Sequence, residues 1–413
     1  MKYILLCVLL CTTLFTKAAE PIKIGVITDT HYLSEKLMDG GYAVENYVYM
    51  TGRNVDDAPA VLDQVLTNYL QSDIQVLLIC GDITKDGEKQ SHLDFAKKLK
   101  PLQDKGIQVY VVPGNHDINM SNAVEFKGDK VFSVPGITPD EFAGIYSAYG
   151  YKDAVSRDNA SLSYVAGLSE SVWLLSIDAA RYSEYRTGSI TSGRILPETE
   201  EWIVDVLDEA ESRNIQVIGM MHWGLTEHIL YQSSFFKEYL VADWQRLATL
   251  FADKGMKAVF TGHFHSNDIS LFTSATGNKI YDIETGSLTS YPFSYRFVDL
   301  YSNRMAIRTK NVASVPGNPN LAGESKAQMQ GVAKKLAIQK LKKQDYELSS
   351  EVLPLFADVL SKVFVLHLFG DEQLDDDLRS AITNLSDVMG DPVDLNDIEL
   401  DFYPADNNIE IVF

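Results

Sequence analysis

The stretch Val111-Val112-Pro113-Gly114-Asn115-His116-Asp117 decides the fold that we predict from the sequence. Its two valines close an apolar run that begins at residue 107, and the Pro-Gly pair ends that run. This pattern indicates a buried strand that stops at a polar turn. Three side chains able to bind a metal ion or move a proton follow at the carboxyl end of the strand. In open α/β sheets, ligands bind at that edge.

Four other apolar runs end in the same way. The polar residues that follow them are Asp29 and His31 after residues 22–28, Asp82 after residues 74–80, His222 after residues 215–221, and His263 and His265 after residues 258–261. Five of the eight histidines therefore lie just beyond an apolar run. Because parallel strands bring such positions to one sheet edge, the pattern predicts a functional site there.

The order of apolar and amphipathic segments predicts an α/β fold. In the first half, strand-like runs alternate with helical spacings, which is typical of βαβ units and a largely parallel sheet. Thr138-Pro139-Asp140-Glu141 has the pattern of a helix start, and residues 197–213 and 235–254 have helical periodicity. Short strands between residues 161 and 310 indicate antiparallel pairing. Two sheets packed face to face with helices outside accommodate both halves.

The charge balance limits the partners of the chain. It has 413 residues and a formal net charge of −21 at pH 7, which argues against a nucleic-acid polymer or an anionic membrane surface as a partner. Over half of this net negative charge lies in residues 371–413, which contain thirteen acidic residues and one basic residue. A Lys-rich helix precedes this segment, so the two either match their charges within the molecule or are separately solvated.

Residues 1–19 have the pattern of a secretion signal. Lys2 supplies a positive start, residues 4–15 form an apolar segment too short to span a bilayer comfortably, and small side chains follow. We therefore expect a secreted, periplasmic or extracellular protein without a transmembrane anchor after signal removal. A membrane anchor and lipid attachment at Cys11 are the weaker alternatives. Signal removal would leave Cys80 alone, so we expect no internal disulfide.

The remaining sequence divides into three parts. Residues 20–310 form the predicted main domain, and residues 311–323 are rich in Pro, Gly and Asn, which is typical of a linker. Residues 324–413 are predicted to form a small, mainly helical and acidic C-terminal appendage.

The donor types at the five strand ends suit metal ions. Asp, His and Asn give an oxygen and nitrogen ligand set without thiolate, which favours Mn, Fe, Zn or Co over Ca or a structural zinc site. Two ions a few Å apart need a bridging anion, and Asp82 is the best placed carboxylate because Gly81 permits a sharp turn before it. Such a pair of ions lowers the pKa of a shared water and stabilises an in-line phosphoryl displacement.

With these motifs, the sequence resembles the calcineurin-like metallophosphoesterase superfamily. The five parts of the family pattern are present in order: Asp29-Thr30-His31, Gly81-Asp82, Gly114-Asn115-His116-Asp117, His222, and Gly262-His263-Phe264-His265. The resemblance extends over about residues 22–310 and implies a four-layer αββα sandwich with mixed sheets. Residues 87–92 additionally resemble a segment of secreted phosphodiesterase-like members.

The resemblance also implies roles for individual residues. One metal would take Asp29, His31, Asp82 and His265, and the second would take Asp82, Asn115, His222 and His263. His116 would act as general acid or as a donor to the phosphoryl oxygens, and Asp117 would orient its imidazole. No Tyr stands three residues after Asp82, so the iron-binding tyrosine of purple acid phosphatases is missing at its expected place.

Several alternatives stay open at this point. Asp178 either supports the site or caps a turn, and Arg186 is either a phosphate contact or a solvated loop residue. His228 is expected at a pocket rim or on a helix surface, and His367 in an apolar helix remote from the motifs.

For the function, the sequence favours a secreted, metal-dependent phosphoesterase that hydrolyses a small phosphate ester, with a diester preferred. In that reaction a metal-bridging hydroxide would attack the phosphorus, and His116 would assist the leaving group. A phosphomonoesterase or nucleotidase and a non-catalytic metal-binding scaffold are the alternatives.

Overall fold

The computed structural model describes residues 20–343, 348–390 and 392–413. The predicted signal segment, residues 1–19, lies outside these residues. The strands are β1 Ile22–Ile27, β2 Val76–Ile79, β3 Gln108–Val111, β4 Val124–Lys127, β5 Lys130–Ser133, β6 Ser156–Arg157, β7 Tyr164–Ser169, β8 Val172–Ile177, β9 Gln216–Met221, β10 Ala258–Thr261, β11 Asp268–Thr273, β12 Lys279–Glu284, β13 Ser294–Leu300, β14 Arg304–Asn311 and β15 Asn408–Val412.

The helices cover the outer faces and the C-terminal region. They are α1 Tyr42–Thr51, α2 Ala58–Gln71, α3 Lys89–Asp104, α4 Pro139–Ile145, α5 Pro197–Ser212, α6 Gln232–Phe235, α7 Trp244–Asp253, α8 Leu321–Lys343, α9 Val352–Phe369 and α10 Asp376–Met389. The predicted start of α4 is confirmed, because Thr138 caps the helix and exchanges hydrogen bonds with Glu141 in a capping box.

The first sheet has six strands in the order β15-β14-β13-β1-β2-β3. The connections through α2 and α3 make β1, β2 and β3 parallel, whereas β13 pairs antiparallel with β1. The register is level at the carboxyl end of the parallel strands: Ile27 is opposite Ile79, and Ile79 is opposite Val111. The polar turns that follow these three strands therefore start from one edge.

The second sheet has seven strands in the order β11-β12-β10-β9-β8-β7-β6. Its central strands β8, β9, β10 and β12 are parallel, and β7 and β11 flank them antiparallel. The end of β9 lies beside the end of β10, since Met220 pairs with Phe260. A second set of polar turns is thereby brought to one edge.

The side chains of the second sheet alternate between two cores, as a pleated strand with two buried faces requires. Leu174, Ile218 and Phe260 pack in the core between the two sheets, while Leu175 and Val217 pack in the core under α5 and α7. The helices α2 and α3 contribute to the core of the first sheet. The layers therefore run helix, sheet, sheet, helix, and the four-layer αββα sandwich with mixed sheets is confirmed.

The helix predicted over residues 235–254 is wrong in its first half. Leu240 and Val241 form isolated bridges to Gly224 and Gly193, which hold this segment extended. Asp243 then has φ 57°, and α7 begins only at Trp244. The apolar spacing was present in the sequence, but pairing with two neighbouring loops competes with the helix.

The C-terminal region combines helices with a strand that the sequence analysis missed. After α8, α9 and α10 the chain returns to the first sheet, where β15 pairs antiparallel with β14 as its edge strand. α9 is long and apolar enough to cross a membrane by length and composition alone. In this fold it packs beside α8 and α10, and Phe364 and His367 from it contact the ring of Phe264.

Candidate metal centre

The predicted ligand residues all lie beyond strand ends that face one another across the two sheets. Asp29, Asp82 and Asn115 follow β1, β2 and β3, and His222 and His263 follow β9 and β10. Their side chains are buried, with at most 5% of each residue exposed. The structure thus brings together residues that are about 230 positions apart in sequence.

The backbone at these positions is held in an unusual conformation. Five of the candidate residues have a positive φ although none is glycine: Asp29 at 47°, His31 at 33°, Asp82 at 46°, His263 at 74° and His265 at 68°. Each such residue costs about 1–3 kcal/mol and persists only where surrounding structure fixes it. Backbone hydrogen bonds from Asp29 N to Gly81 O (3.1 Å) and from His31 N to Asp82 O (3.0 Å) provide that support.

Two motif glycines are required by close approach to these carboxylates. A Cβ at Gly114 would overlap Oδ1 of Asp82, and a Cβ at Gly262 would overlap Oδ2 of Asp29. Neither glycine has a positive φ, so the reason is space rather than backbone conformation.

One group of ligand atoms consists of Asp29, His31 and His265. Oδ1 of Asp29 lies 3.1 Å from Nε2 of His265 and 3.7 Å from Nε2 of His31. The two imidazole nitrogens are themselves 3.3 Å apart. All three residues can therefore direct a ligand atom at one cation.

A second group consists of Asp82, His222 and His263. Nε2 of His222 lies 3.3 Å from Oδ2 of Asp82. Nδ1 of His222 lies 2.8 Å from the carbonyl oxygen of Cys80, which can only accept, so Nδ1 carries the hydrogen and Nε2 is left to bind a metal. Nε2 of His263 lies 3.4 Å from the carbonyl oxygen of Glu238, which leaves Nδ1 for coordination.

Asp82 stands between the two groups. Its Oδ2 is 3.7 Å from Nε2 of His31 in the first group and 3.3 Å from Nε2 of His222 in the second. Asp29 also approaches the second group, because its Oδ1 is 3.9 Å from Nε2 of His222. This is the geometry expected of a carboxylate shared by two cations.

The chemistry of the donor set fits metal ions. Oδ1 of Asp29, Oδ1 of Asn115 and Nε2 of His222 are buried and lack a directed hydrogen bond within the described part of the chain. Buried polar atoms without such partners are rare in folded proteins. A cation bound by the first group would satisfy Oδ1 of Asp29, and a cation bound by the second group would satisfy Nε2 of His222.

The pKa values of several ligand residues are shifted by their surroundings. Burial opposes ionisation of Asp82, but the charge of His222 outweighs it and holds the pKa of Asp82 well below its usual range. Burial lowers the pKa of His263 to about 3, so this imidazole is neutral and able to coordinate. Although burial disfavours its charged form, Asp82 and Asp29 raise the pKa of His222 to about 9, so a proton and a cation compete for Nε2.

His116 lies beside the first group without belonging to it. Its ring centroid is 5.1 Å from that of His31, and its backbone N–H donates to Oδ1 of Asp82 at 2.8 Å. Nδ1 of His116 lies 2.8 Å from Oδ1 of Asp86. Burial opposes ionisation of Asp86, but the hydrogen bond from His116 and the charge of Lys85 outweigh it and lower the pKa of Asp86 to about 2. Asp86 is thus an acceptor, and Nε2 of His116 is directed away from it.

The role predicted for Asp117 is corrected by this contact. Its carboxylate does not hold the His116 ring; instead it accepts backbone hydrogen bonds from Gly114, Ile83 and Thr84 at 2.8, 3.2 and 2.9 Å. Burial, with a contribution from Asp82, raises the pKa of Asp117 to about 6. Asp117 therefore ties the turn after β3 to the turn after β2. His116 directly precedes Asp117 in the motif, but the two side chains have different partners.

Sequence reasoning missed Asp86 and also Arg53. Asp86 lies in Lys85-Asp86-Gly87, four residues after Asp82, and this spacing was the available signal. Nη2 of Arg53 lies 3.5 Å from Nε2 of His116. Arg53 follows α1 in a segment with no metal-ligand pattern, so nothing near it in the sequence indicated its position.

The structure shows the contacts of the two residues in the loop after β8 whose roles the sequence left open. Asp178 accepts hydrogen bonds from the backbone N–H of Leu162 and Ala180 and from the hydroxyl of Tyr182, so it caps and anchors the turn. The exposed Arg186 donates to the carbonyl oxygen of Tyr185, within its own loop.

His228 is buried, contrary to its expected place at a rim or surface. Nδ1 lies 2.6 Å from Oδ1 of Asp268, and Nε2 lies 3.2 Å from Oδ2 of Asp282 and 3.3 Å from Oε2 of Glu284. Burial disfavours the charged form, but Asp282, Glu284 and Asp268 raise the pKa of His228 well above its ordinary value. This buried cluster joins the loop after β9 to β11 and β12. His367 also differs from its expectation, because its ring centroid is 5.7 Å from that of Phe264 in the last motif.

Comparison with known proteins agrees with this geometry. The sequence profile of the calcineurin-like phosphoesterase family matches residues 22–267, more than half of the chain. The protein therefore belongs to this family and is a metal-dependent phosphoester hydrolase. The match covers all five motifs and the turns that carry the two ligand groups.

Solved structures with a similar fold are distant in sequence. A dimetal phosphatase from Danio rerio is 14% identical with a TM-score of 0.48, over 71% of this chain and 97% of that chain. A purple acid phosphatase from yellow lupin is 13% identical with a TM-score of 0.44, and the match covers 71% of this chain and 52% of that chain. A putative 5'-nucleotidase from Staphylococcus aureus is 10% identical with a TM-score of 0.39, and the match covers 75% of this chain and 58% of that chain. No curated protein gives a significant sequence match.

Proposed function

We propose that the protein is a two-metal phosphodiesterase acting on a small phosphate ester. The observation that carries this proposal is the position of Oδ2 of Asp82, 3.7 Å from His31 and 3.3 Å from His222, which makes one carboxylate common to both ligand groups. Cations bound there supply Lewis-acid polarisation of the phosphoryl group and lower the pKa of a coordinated water.

The remaining groups of the site have roles that follow from their geometry. Nδ1 of His116 donates to Asp86, and Nε2 is thereby aimed at the space beside the first ligand group. From there Nε2 delivers a proton to the oxygen of the leaving group as the phosphorus–oxygen bond breaks. The Asp86 carboxylate fixes the orientation of the ring by accepting a hydrogen bond from Nδ1.

The preference for a diester rests on the resemblance of residues 87–92 to secreted phosphodiesterase-like proteins. In the fold this segment carries Glu88 and His92, both buried, and Nε2 of His92 lies 2.9 Å from the carbonyl oxygen of Asp117. A phosphomonoesterase is the second candidate, and the Arg53 guanidinium beside His116 favours it because a monoester carries more negative charge.

The experiment compares matched chromogenic substrates. Purified protein stripped with EDTA and reloaded with Mn²⁺, Fe²⁺, Zn²⁺ or Co²⁺ is assayed with bis-p-nitrophenyl phosphate and p-nitrophenyl phosphate. The proposal predicts metal-dependent turnover with higher kcat/KM for the diester. A higher value for the monoester supports the second candidate, and no turnover of either ester by a protein that holds its metals contradicts the assignment of activity.

We further propose that the mature protein is exported and begins near residue 20. The support is the pattern of residues 1–19, with Lys2 before an apolar segment and small residues at its end. Mass spectrometry of the protein purified from the periplasm or medium of an expressing cell would give a mass lacking these residues. A full-length mass in the cytosolic fraction would contradict export.

A further inference from the structure

Arg53 places a guanidinium at the candidate centre from outside the five motifs. Its Nη2 is 3.5 Å from Nε2 of His116, the atom that faces away from Asp86. Although burial disfavours its charged form, a hydrogen bond with Tyr47 and the charges of Asp82 and Asp86 raise the pKa of Arg53. The guanidinium and the free face of His116 are therefore directed at the same space.

Unlike several other arginines of the protein, Arg53 is not paired with a carboxylate in the described part of the chain. Arg181 pairs with Glu184, and Arg246 pairs with Glu200 at 2.6 Å. Within residues 20–343, 348–390 and 392–413, no carboxylate oxygen lies within 4.0 Å of a nitrogen of Arg53. A partly buried cation of this kind retains donors for an anion, and the fork geometry of guanidinium suits phosphate oxygens.

We propose that Arg53 binds a non-bridging oxygen of the substrate phosphoryl group, and that helix α8 of the C-terminal region holds Arg53 in place for this purpose. The inference deepens the proposed phosphoesterase function and rests on it. It gives the C-terminal region a role at the site, through a contact that none of the five motifs contains.

Helix α8 contacts the chain on both sides of Arg53. On one side, the side chain of Gln328 donates to the carbonyl oxygen of Val48. Next to the arginine, Gly52 has φ 74°, and a Cβ there would overlap Sδ of Met329. This glycine allows α8 to approach the backbone that precedes Arg53.

On the other side, Asn54 links α8 to the metal centre. Its Nδ2 donates to Oγ of Ser325 at 2.9 Å and to the carbonyl oxygen of Thr289 at 3.2 Å. The hydroxyl of Thr289 donates to the carbonyl oxygen of Asp29 at 3.2 Å. A series of hydrogen bonds thus runs from α8 through Asn54 and Thr289 to Asp29, a candidate metal ligand. Arg53 directly precedes Asn54 in the chain.

Binding of inorganic phosphate to the metal-loaded full chain tests the proposal without requiring turnover. Isothermal titration calorimetry of Arg53→Gln is expected to show about 10- to 100-fold weaker phosphate binding, the loss typical of a hydrogen bond between charged groups. Arg53→Lys should recover part of the affinity, because it keeps the charge but loses the fork. Metal content by mass spectrometry should stay at the wild-type value for both variants.

Two controls separate Arg53 from general effects of removing an arginine. Arg213 ends α5 at the opposite edge of the sheet from the metal centre and pairs with Glu209, so Arg213→Gln should bind phosphate as the wild type does. Arg186→Gln tests the rival loop arginine. Wild-type phosphate affinity in Arg53→Gln, with or without a loss in Arg186→Gln, would overturn the assignment.

The contribution of α8 is tested by Ser325→Ala. This change removes the nearest acceptor of Asn54 Nδ2 and breaks the link between α8 and Asn54, so we expect phosphate affinity to fall about 3- to 10-fold with metal content unchanged. Ser380→Ala on α10 is the matched control, since this exposed hydroxyl donates to the carbonyl oxygen of Asp376 within its own helix. Unchanged affinity in Ser325→Ala would overturn the role of α8.

The outcome also separates this inference from the proposed function. If the wild type binds phosphate through Arg53 but hydrolyses neither ester, the phosphoesterase proposal fails and the binding role stands. If the wild type hydrolyses an ester and Arg53→Gln retains both phosphate affinity and KM, the inference fails and the phosphoesterase proposal stands.

Discussion

Oδ1 of Asp86 lies 2.8 Å from Nδ1 of His116, and this contact joins the turn after β2 to the turn after β3. Asp86 is itself in contact with Lys85, which is buried and also lies 3.2 Å from Glu88. The ring that faces the metal centre is therefore oriented by a carboxylate from a different strand end. The adjacent Asp117 is occupied with backbone N–H groups.

The first prediction separates the two carboxylates. Asp86→Asn keeps an acceptor for Nδ1 but replaces a hydrogen bond to a carboxylate by a weaker one to an amide, so the ring is held less firmly and kcat should fall about 10- to 100-fold with normal metal content. Asp117→Asn should instead reduce the free energy of unfolding by about 1–3 kcal/mol, because an amide NH2 replaces one of the two oxygens that accept from buried backbone N–H groups. Steady-state kinetics and thermal unfolding of both variants check this. Equal kinetic effects without loss of stability in Asp117→Asn would contradict the assignment.

The second prediction concerns His116 itself. His116→Ala removes the proton donor but none of the ligand atoms, so kcat should fall about 10²- to 10⁴-fold while two metal ions are retained. The loss should be smaller for a substrate with a good leaving group, such as a nitrophenyl ester, than for an alkyl ester, because the former needs less proton transfer. Loss of metal in parallel with activity would show that His116 is a ligand.

The third prediction uses the shared position of Asp82. Asp82→Ala should lower the bound metal below one ion per chain, because Oδ2 faces both ligand groups. His222→Ala should affect the second group alone and leave about one ion. Inductively coupled plasma mass spectrometry on dialysed protein measures both values. The same stoichiometry in the two variants would argue against a bridging role.

The fourth prediction concerns stability and the buried cluster around His228. Burial, partly offset by His228, raises the pKa of Glu284 to about 8 from an ordinary value of 4.5. Between these two values the folded state binds more protons than the unfolded state, so this group makes stability fall as the pH rises, by at most about 1.4 kcal/mol per pH unit. Glu284→Gln should flatten the decline of Tm between pH 5 and pH 8.

The control for this prediction is Glu211→Gln, which changes an exposed glutamate at the end of α5. It should leave the pH profile of Tm as in the wild type. A Glu284→Gln profile parallel to the wild type over this range would show that Glu284 is ionised in the folded protein.

The sequence allowed much of the centre to be predicted for a physical reason. Each ligand candidate lies within four residues of the end of a buried strand, and parallel strands such as β1, β2 and β3 end at a common edge. Apolar runs followed by Asp, Asn or His are therefore visible locally, although the site itself is assembled over a long sequence distance. The five motifs and the layered α/β fold could be predicted because these local patterns are visible in the sequence.

The remaining features depend on contacts that have no local signal. The neighbours of Arg53 in the chain, Gly52 and Asn54, contact Met329 and Ser325 of α8, which are more than 270 residues later. β15 has weak apolar alternation, and it is a strand because β14 offers an open edge. Asp86, and not the predicted Asp117, orients the His116 ring, because the direction of a side chain within a turn is not determined by residue order alone.

The central claim is that Asp82 lies between two cations. The most direct measurement is anomalous diffraction from crystals of the Mn²⁺-loaded protein. The account predicts two anomalous peaks a few Å apart, one beside Asp29, His31 and His265 and the other beside Asn115, His222 and His263, with Asp82 in contact with both. A single peak, or two peaks of which only one contacts Asp82, would contradict it.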